Sequence, residues 1–254
     1  MLPRPRKRFG QHFLTDRHYL ERIVAAIAPV AGDSVLEIGP GTGLLTAELS
    51  PRLDHLHVVE IDRDLAAGLR NRFDAKRVTV HEADALEFDF GALPAPLRVV
   101  GNLPYNVSTP ILFRIAAVAG RIRDCTFMLQ REVVDRMVAA PASSHYGRLS
   151  VMLQYRFAMQ ALMRVPPGAF TPPPKVDSSV VRMVPLGEGR AVARDPSLFE
   201  RVVAAAFSQR RKTLRNAARA VVPAEAFERA GIDAGRRGET LSVAEFIALA
   251  DASA

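Results

Sequence analysis

The chain has 254 residues, nearly half of them apolar, which is enough to bury one substantial core and a smaller second one. No run approaches the roughly 18 consecutive apolar residues of a membrane span, and the basic N-terminus has no apolar stretch behind it, so a soluble, unexported, cytoplasmic protein with no membrane partner is expected. The single cysteine, Cys125, excludes an internal disulfide, and the six histidines show no metal-ligand spacing, so no metal is expected.

The net charge of +7 is unevenly placed. Residues 1–22 carry +4 and residues 195–220 another +4, leaving the remainder at −1. Clustered cations suit a surface that tracks phosphates, because each neutralised phosphate releases counterions. Two solvated, solubilising ends are the plainer alternative.

From residue 33 to about 157 short apolar runs alternate with helix-like stretches, the pattern of strands joined by helical crossovers in a parallel sheet. The predicted strands are Ser34–Ile38, Leu56–Ile61, Val78–His81, Leu97–Val100 and Thr126–Leu129. Two more runs, Leu149–Phe157 and Ser178–Val184, flank a proline-rich loop over 166–174 and suit a late antiparallel pair at the sheet edge. The expected architecture is α/β: a Rossmann-like, mostly parallel sheet with an antiparallel edge strand over residues 1–187, then a small all-helical domain over 188–254.

Gly187–Arg194 reads as a linker, and Asp195-Pro196 as an N-cap followed by proline in the first turn. Beyond it the sequence reads as helical to the end. On one continuous helix Arg201, Lys212, Arg215 and Arg219 share a face, while Phe199, Val202, Val203, Leu214, Ala217 and Val221 take the opposite half. Arg210 projects into that apolar half, so either the helix is interrupted or this arginine meets a partner across the domain boundary.

Leu36-Glu37-Ile38 runs into Gly39-Pro40-Gly41-Thr42-Gly43 and then into a helix-like stretch. Glycines let the backbone approach a ligand closely, and a helix start offers free amides. Glu60 ends the next strand, 21 residues after Gly39, where its carboxylate can accept from a ribose diol. Up to this point a nicotinamide enzyme and a methyltransferase look alike. Asp84, in Ala83-Asp84-Ala85 after the third strand, can accept from an adenine amino group. Singly, each acid is an ordinary loop residue or helix cap. At the carboxyl ends of three successive strands they mark the crevice where open parallel sheets bind ligands.

The fourth strand runs into Gly101-Asn102-Leu103-Pro104-Tyr105. An aromatic amine is a poor nucleophile because its lone pair is delocalised, so attack on a good leaving group needs alignment more than a strong base. The Asn102 side-chain carbonyl and the Leu103 main-chain carbonyl can both accept N–H bonds from such an amine. Pro104 stiffens the turn, and Tyr105 offers a face for an unstacked base, worth roughly 1–3 kcal/mol. A proline turn with a buried tyrosine is the alternative. Phe170, within the Pro167–Lys175 stretch, is a candidate for the opposing ring, with core packing as its rival role, and Lys175 can meet a phosphate. The base would have to be splayed or single-stranded.

These residues resemble the small-subunit ribosomal RNA adenine dimethyltransferases over about residues 6–250. The likeness rests on Arg8-Phe9-Gly10-Gln11-His12-Phe13-Leu14, Glu37 to Gly43, Glu60, Asp84, Asn102 to Tyr105, Phe127 to Glu132, Tyr146 to Ser150, Phe170 to Ser178 and Gln209 to Asn216. The resemblance implies a class I methyltransferase sheet and S-adenosyl-L-methionine as methyl donor. It implies dimethylation of the N6 amino groups of two adjacent adenosines near the 3′ end of the small-subunit RNA. His12 and Leu14 would close over the methionine end of the cofactor, Gly39 and Glu60 would hold it, and Asp84 would bind its adenine, with Gln11, Gly41, Ile61, Ala85 and Asn102 beside them. Asn102, Leu103, Pro104 and Tyr105 would act in catalysis, with Phe170 opposite. Lys175, Arg201, Arg211, Lys212, Arg215 and Arg219 are the expected RNA contacts, on a monomer acting within a pre-30S particle.

Two departures stand out. Bacterial members often have asparagine where this chain has His12, and alanine where it has Gly238, for which a local effect on a helix start is expected. A methyltransferase acting on large-subunit RNA shares the cofactor and catalytic motifs, but the 209–216 segment and the Phe170 loop argue against it. An assembly factor without turnover and a nicotinamide dehydrogenase are more distant rivals.

Overall fold

The computed structural model describes residues 11–209 and 211–254; Arg8, Phe9, Gly10 and Arg210 of the sequence reading lie outside them. In chain order the strands are β1 (Phe13–Leu14), β2 (Ser34–Ile38), β3 (Leu56–Glu60), β4 (Val78–Glu82), β5 (Leu97–Asn102), β6 (Ile122–Gln130), β7 (Phe157–Val165), β8 (Phe170–Thr171) and β9 (Ser178–Pro185). The helices are α1 (Arg17–Ile27), α2 (Leu44–Leu49), α3 (Arg63–Arg72), α4 (Ser108–Ala117), α5 (Arg131–Met137), α6 (Arg148–Gln154), α7 (Pro196–Ala206), α8 (Leu214–Ala217), α9 (Ala224–Arg229) and α10 (Val243–Ala252). They form two compact units. One holds the described residues up to Val134 with Met159–Pro185, the other Asp135–Ala158 with Leu186–Ala254.

Seven strands form one sheet in the order β4-β3-β2-β5-β6-β9-β7. Strands β2 to β6 pair in parallel and β9 runs antiparallel to β6. The sheet is thus the expected Rossmann-like, mostly parallel one. From β2 the chain builds outward to β3 and β4, then returns to place β5 on the other side. The carboxyl ends of β2 and β5 therefore flank the switch point, where a crevice opens. Val35, Leu36, Val58, Val99, Val100, Phe127 and Leu129 are buried, because parallel strands are covered on both faces. Among the described residues no helix is long and apolar enough to cross a membrane.

At the amino ends of the strands lies a charge cluster. Arg98 donates to Asp124 through Nε at 2.9 Å and to Asp33 through Nη1 at 2.5 Å, while Arg123 and Arg182 reach the same two carboxylates from outside. Burial pushes the Asp33 carboxyl upward, but the Val30 amide and the two arginines outweigh it and hold its pKa below the usual range.

Two expectations need correction. The run Leu149–Phe157 is not a strand: Arg148–Gln154 is α6, and the strand follows as β7. Five consecutive buried residues, Leu149 to Leu153, hide helical periodicity, and a short apolar run does not reveal its type. β7 itself lacks clean alternation of buried and exposed residues, as an edge strand can. Nor do residues 201–219 lie on one continuous helix. The N-cap holds, with Asp195 accepting from the Ser197 and Leu198 amides, but α7 ends at Ala206 and the next helix begins at Leu214. Arg201, Lys212, Arg215 and Arg219 thus do not share one helix face, although all four are exposed. The helix is interrupted between α7 and α8, and Arg210 itself lies outside the described residues. A Cβ on Gly238 would stand 2.9 Å from the Ala206 carbonyl oxygen, so this glycine bears on how the end of α7 packs as well as on a helix start.

Candidate active site

The glycine-rich turn follows β2 directly, and two glycines in this region are there for space. A Cβ on Gly41 would meet the Phe13 ring at 2.9 Å. One on Gly101, near the end of β5, would lie 2.3 Å from the Ile38 carbonyl oxygen. These absent side chains let the turns after β2 and β5 close on one cleft. Its wall takes Gln11, His12 and Leu14 from the N-terminal segment and Gly39 and Gly41 from the glycine turn. Glu60, Ile61, Asp84 and Ala85 follow from the ends of β3 and β4, and Asn102, Leu103, Pro104 and Tyr105 from the turn after β5.

The acids are held by backbone donors. Glu60 accepts from the Asp62 amide through Oε1 at 2.9 Å and from the Gly41 amide through Oε2 at 3.1 Å. Burial raises its pKa, with these amide bonds opposing. Asp84 accepts from the Leu86 amide through Oδ1 at 2.8 Å, which closes a turn after β4 and caps no helix, and its second oxygen has no hydrogen bond among the described residues. Glu37 accepts from the Thr46 hydroxyl at 2.6 Å; burial, abetted by the charge on Glu60, lifts its pKa to about 7. Glu37 lines the cleft but was not singled out from the sequence as a site residue. Its signal was there: an acid inside an otherwise apolar buried strand rarely lacks a role.

Across the cleft, Asn102 donates from Nδ2 to the His12 carbonyl at 2.9 Å, and its side-chain oxygen accepts no hydrogen bond among the described residues. The Leu103 amide donates to the Met128 carbonyl at 3.1 Å and ties the turn to β6. The rings of His12 and Tyr105 stack with centroids 5.6 Å apart and planes 26° from parallel, and His12 Nδ1 lies 2.9 Å from the Pro172 carbonyl. The tyrosine hydroxyl meets Ser178 Oγ at 2.5 Å.

Phe170 is a correction. It does not open onto the cleft; it is buried at 3 % exposure in a hydrophobic cluster with Ile23, Val24 and Val180, while its backbone pairs with Leu14 in the short β1–β8 ribbon. Core packing, the rival role, describes its side chain. Lys175 is exposed outside the cleft, and Arg201, Arg211, Lys212, Arg215 and Arg219 are exposed in the helical unit.

The chemistry of the lining selects a ligand. Among the described residues it holds three carboxyl groups, Glu37, Glu60 and Asp84, and no lysine or arginine. A pyrophosphate-bearing dinucleotide would find backbone amides there but no side-chain cation among the described residues. A cationic ligand with a ribose and an adenine finds the matching acceptors.

The family of ribosomal RNA adenine dimethylases matches residues 3–254. The ribosomal RNA small subunit methyltransferase A of Aromatoleum aromaticum is 61 % identical over 246 residues, covering 97 % of this chain and 93 % of that one. The protein of the same name from Thiobacillus denitrificans is 58 % identical, covering 96 % of each. Among solved structures, a dimethyladenosine transferase from Plasmodium falciparum superposes with a TM-score of 0.81 at 24 % identity, covering 94 % of this chain and 96 % of that one. The 23S rRNA methyltransferase ErmE superposes with a TM-score of 0.73 at 27 % identity, covering 94 % and 98 %.

Proposed function

The chain belongs to the ribosomal RNA adenine dimethylase family, an S-adenosylmethionine-dependent enzyme that dimethylates adenosine N6 groups of 16S ribosomal RNA, and we propose that it does so with the turn Asn102 to Tyr105. The observation that carries this reading is the bond from Asn102 Nδ2 to the His12 carbonyl. With its donor end engaged, the carboxamide turns its oxygen outward as an acceptor for the target amine.

S-adenosylmethionine supplies an electrophilic methyl group on a cationic sulfur. Glu60 would accept from its ribose and Asp84 from its adenine amine, with Gly39, Gly41, Ile61 and Ala85 beside it and Gln11, His12 and Leu14 toward its methionine end. Asn102 Oδ1 and the Leu103 carbonyl accept the two N–H groups of adenosine, which aligns the nitrogen lone pair as positive charge develops there. Tyr105 stacks on the extruded base, and Pro104 limits the motion of the turn. With Phe170 packed in the core, stacking rests on Tyr105 alone.

The targets are two adjacent adenosines near the 3′ end of the RNA, reached within a pre-30S particle by a cytoplasmic monomer. The catalytic role belongs to residues 1–187 and the grip on RNA to 188–254, through Arg201, Arg211, Lys212, Arg215 and Arg219, with Lys175 as one contact from the catalytic part. Identity of 61 % to a small-subunit enzyme, against 27 % to a large-subunit one, favours this substrate.

Purified protein with radiolabelled cofactor should transfer methyl groups to under-methylated small subunits. Asn102→Ala should abolish transfer while calorimetry still shows cofactor binding. No transfer by the wild type, or full transfer by the variant, would overturn this reading.

A further inference from the structure

Ser178 is the last residue of the motif that begins at Phe170. It opens β9 opposite Gln130 of β6 and is fully buried at 0 % exposure. It is not among the residues lining the cleft, so it touches neither the cofactor groove nor the face on which a base would lie. Its Oγ nevertheless sits 2.5 Å from the Tyr105 hydroxyl, and among the described residues each hydroxyl has only the other as hydrogen-bond partner.

A tyrosine used as a stacking platform has two torsions to fix. The turn fixes the backbone, and the His12 ring lies against one face. Neither contact fixes the far end of the side chain. The Ser178 hydroxyl does, from a strand whose register is set by six consecutive pairings with β6. The anchor is rigid because its own backbone belongs to a sheet, whereas Tyr105 belongs to a turn. Burial raises the Tyr105 pKa despite the Ser178 bond, so the phenol stays neutral beside the serine hydroxyl.

We infer that Ser178 is a positioning residue that holds the Tyr105 ring at the angle needed to receive the target adenine. This rests on the reading of Tyr105 as the stacking platform and assigns Ser178 no contact with substrate. An anchored ring contributes equally to the bound and reacting states, so its loss raises KM for RNA and spares kcat.

The test is a double-mutant cycle on the full chain, using under-methylated small subunits as substrate. Ser178→Ala and Tyr105→Phe should each raise KM for the subunit roughly three- to tenfold, the size of one neutral hydrogen bond. The value of kcat should stay within about twofold and cofactor affinity should not change. Because both act through one bond, the double variant should be no worse than the worse single variant. A KM unchanged in Ser178→Ala, or effects that multiply in the double variant, would overturn the inference. Tyr105→Ala separates the two readings: full activity there removes the stacking platform itself, whereas impaired activity with a normal Ser178→Ala removes only the anchor.

Discussion

The side-chain amide of Asn102 donates to the main-chain carbonyl of His12, 90 residues earlier in the chain, at 2.9 Å. One hydrogen bond thus decides which end of the carboxamide faces the cleft. Asn102→Asp keeps an acceptor of the same shape but sets a carboxylate oxygen against the His12 carbonyl. Turnover should fall by at least ~100-fold, the size of losing one preorganised polar contact to the reacting group. Single-turnover methylation at saturating cofactor reads this directly, and near-normal turnover in Asn102→Asp would show that orientation is unimportant.

Glu37 holds its proton more tightly in the folded chain, with a pKa of about 7 against an ordinary value of 4.5. For a carboxyl shifted upward, the favourable contribution is greatest at low pH and fades as pH climbs through this window. Relative to Glu37→Gln, which carries no titratable group, the wild type should lose about 3 kcal/mol of stability between pH 4.5 and pH 7. Urea unfolding of both proteins at a series of pH values checks the slope. A constant difference would place the group's pKa near 4.5.

Arg98 serves two buried carboxylates, which Arg123 and Arg182 satisfy only from outside. Replacing it with methionine keeps much of the volume and removes the charge. The expected loss is about 3–5 kcal/mol. In a chain of this size that corresponds to a melting temperature lower by about 10 °C, measurable by thermal unfolding.

Gly101→Ala should destabilise the chain by more than about 2 kcal/mol and weaken cofactor binding at least ~10-fold, because its Cβ would stand 2.3 Å from the Ile38 carbonyl oxygen. Circular dichroism melts and cofactor calorimetry on the same preparation report both. An alanine variant indistinguishable from wild type would contradict the contact.

The exposed cations of the helical unit should act through phosphates. Lys212→Gln with Arg215→Gln should weaken RNA binding uniformly across sequences and lower the slope of log affinity against log salt by about two, leaving cofactor affinity intact. Filter binding between 50 and 200 mM salt, roughly, gives the slope. An unaltered slope would move the RNA grip elsewhere.

Most of the parallel half of the sheet was legible because its strands are short apolar runs closed by glycine, aspartate or asparagine, and Ser34–Ile38 matches β2 end to end, whereas β6 starts at Ile122, ahead of the expected Thr126, because Arg123 and Asp124 interrupt its apolar run. Part of the cleft was legible for the same reason: Gly39, Gly41, Glu60, Asp84 and Asn102 stand at strand ends and line it, whereas Gln11, His12 and Leu14, which also line it, were indicated only by the family resemblance. What escaped depended on contacts distant in sequence. Phe170 reads equally as platform or packing until its neighbours Ile23 and Val180 are known. Leu149 to Leu153 are buried throughout and apolar but for Ser150, so neither a twofold nor a 3.6-fold period emerges. The break between α7 and α8 has no proline or glycine to announce it.

The near-contact between Gly101 and Ile38 has a bearing on inheritance. It leaves no room for a side chain between the ends of β2 and β5, so the turns that follow the two strands share one backbone contact. A substitution that forces them apart disturbs both turns together, and the pair is kept or lost as a unit.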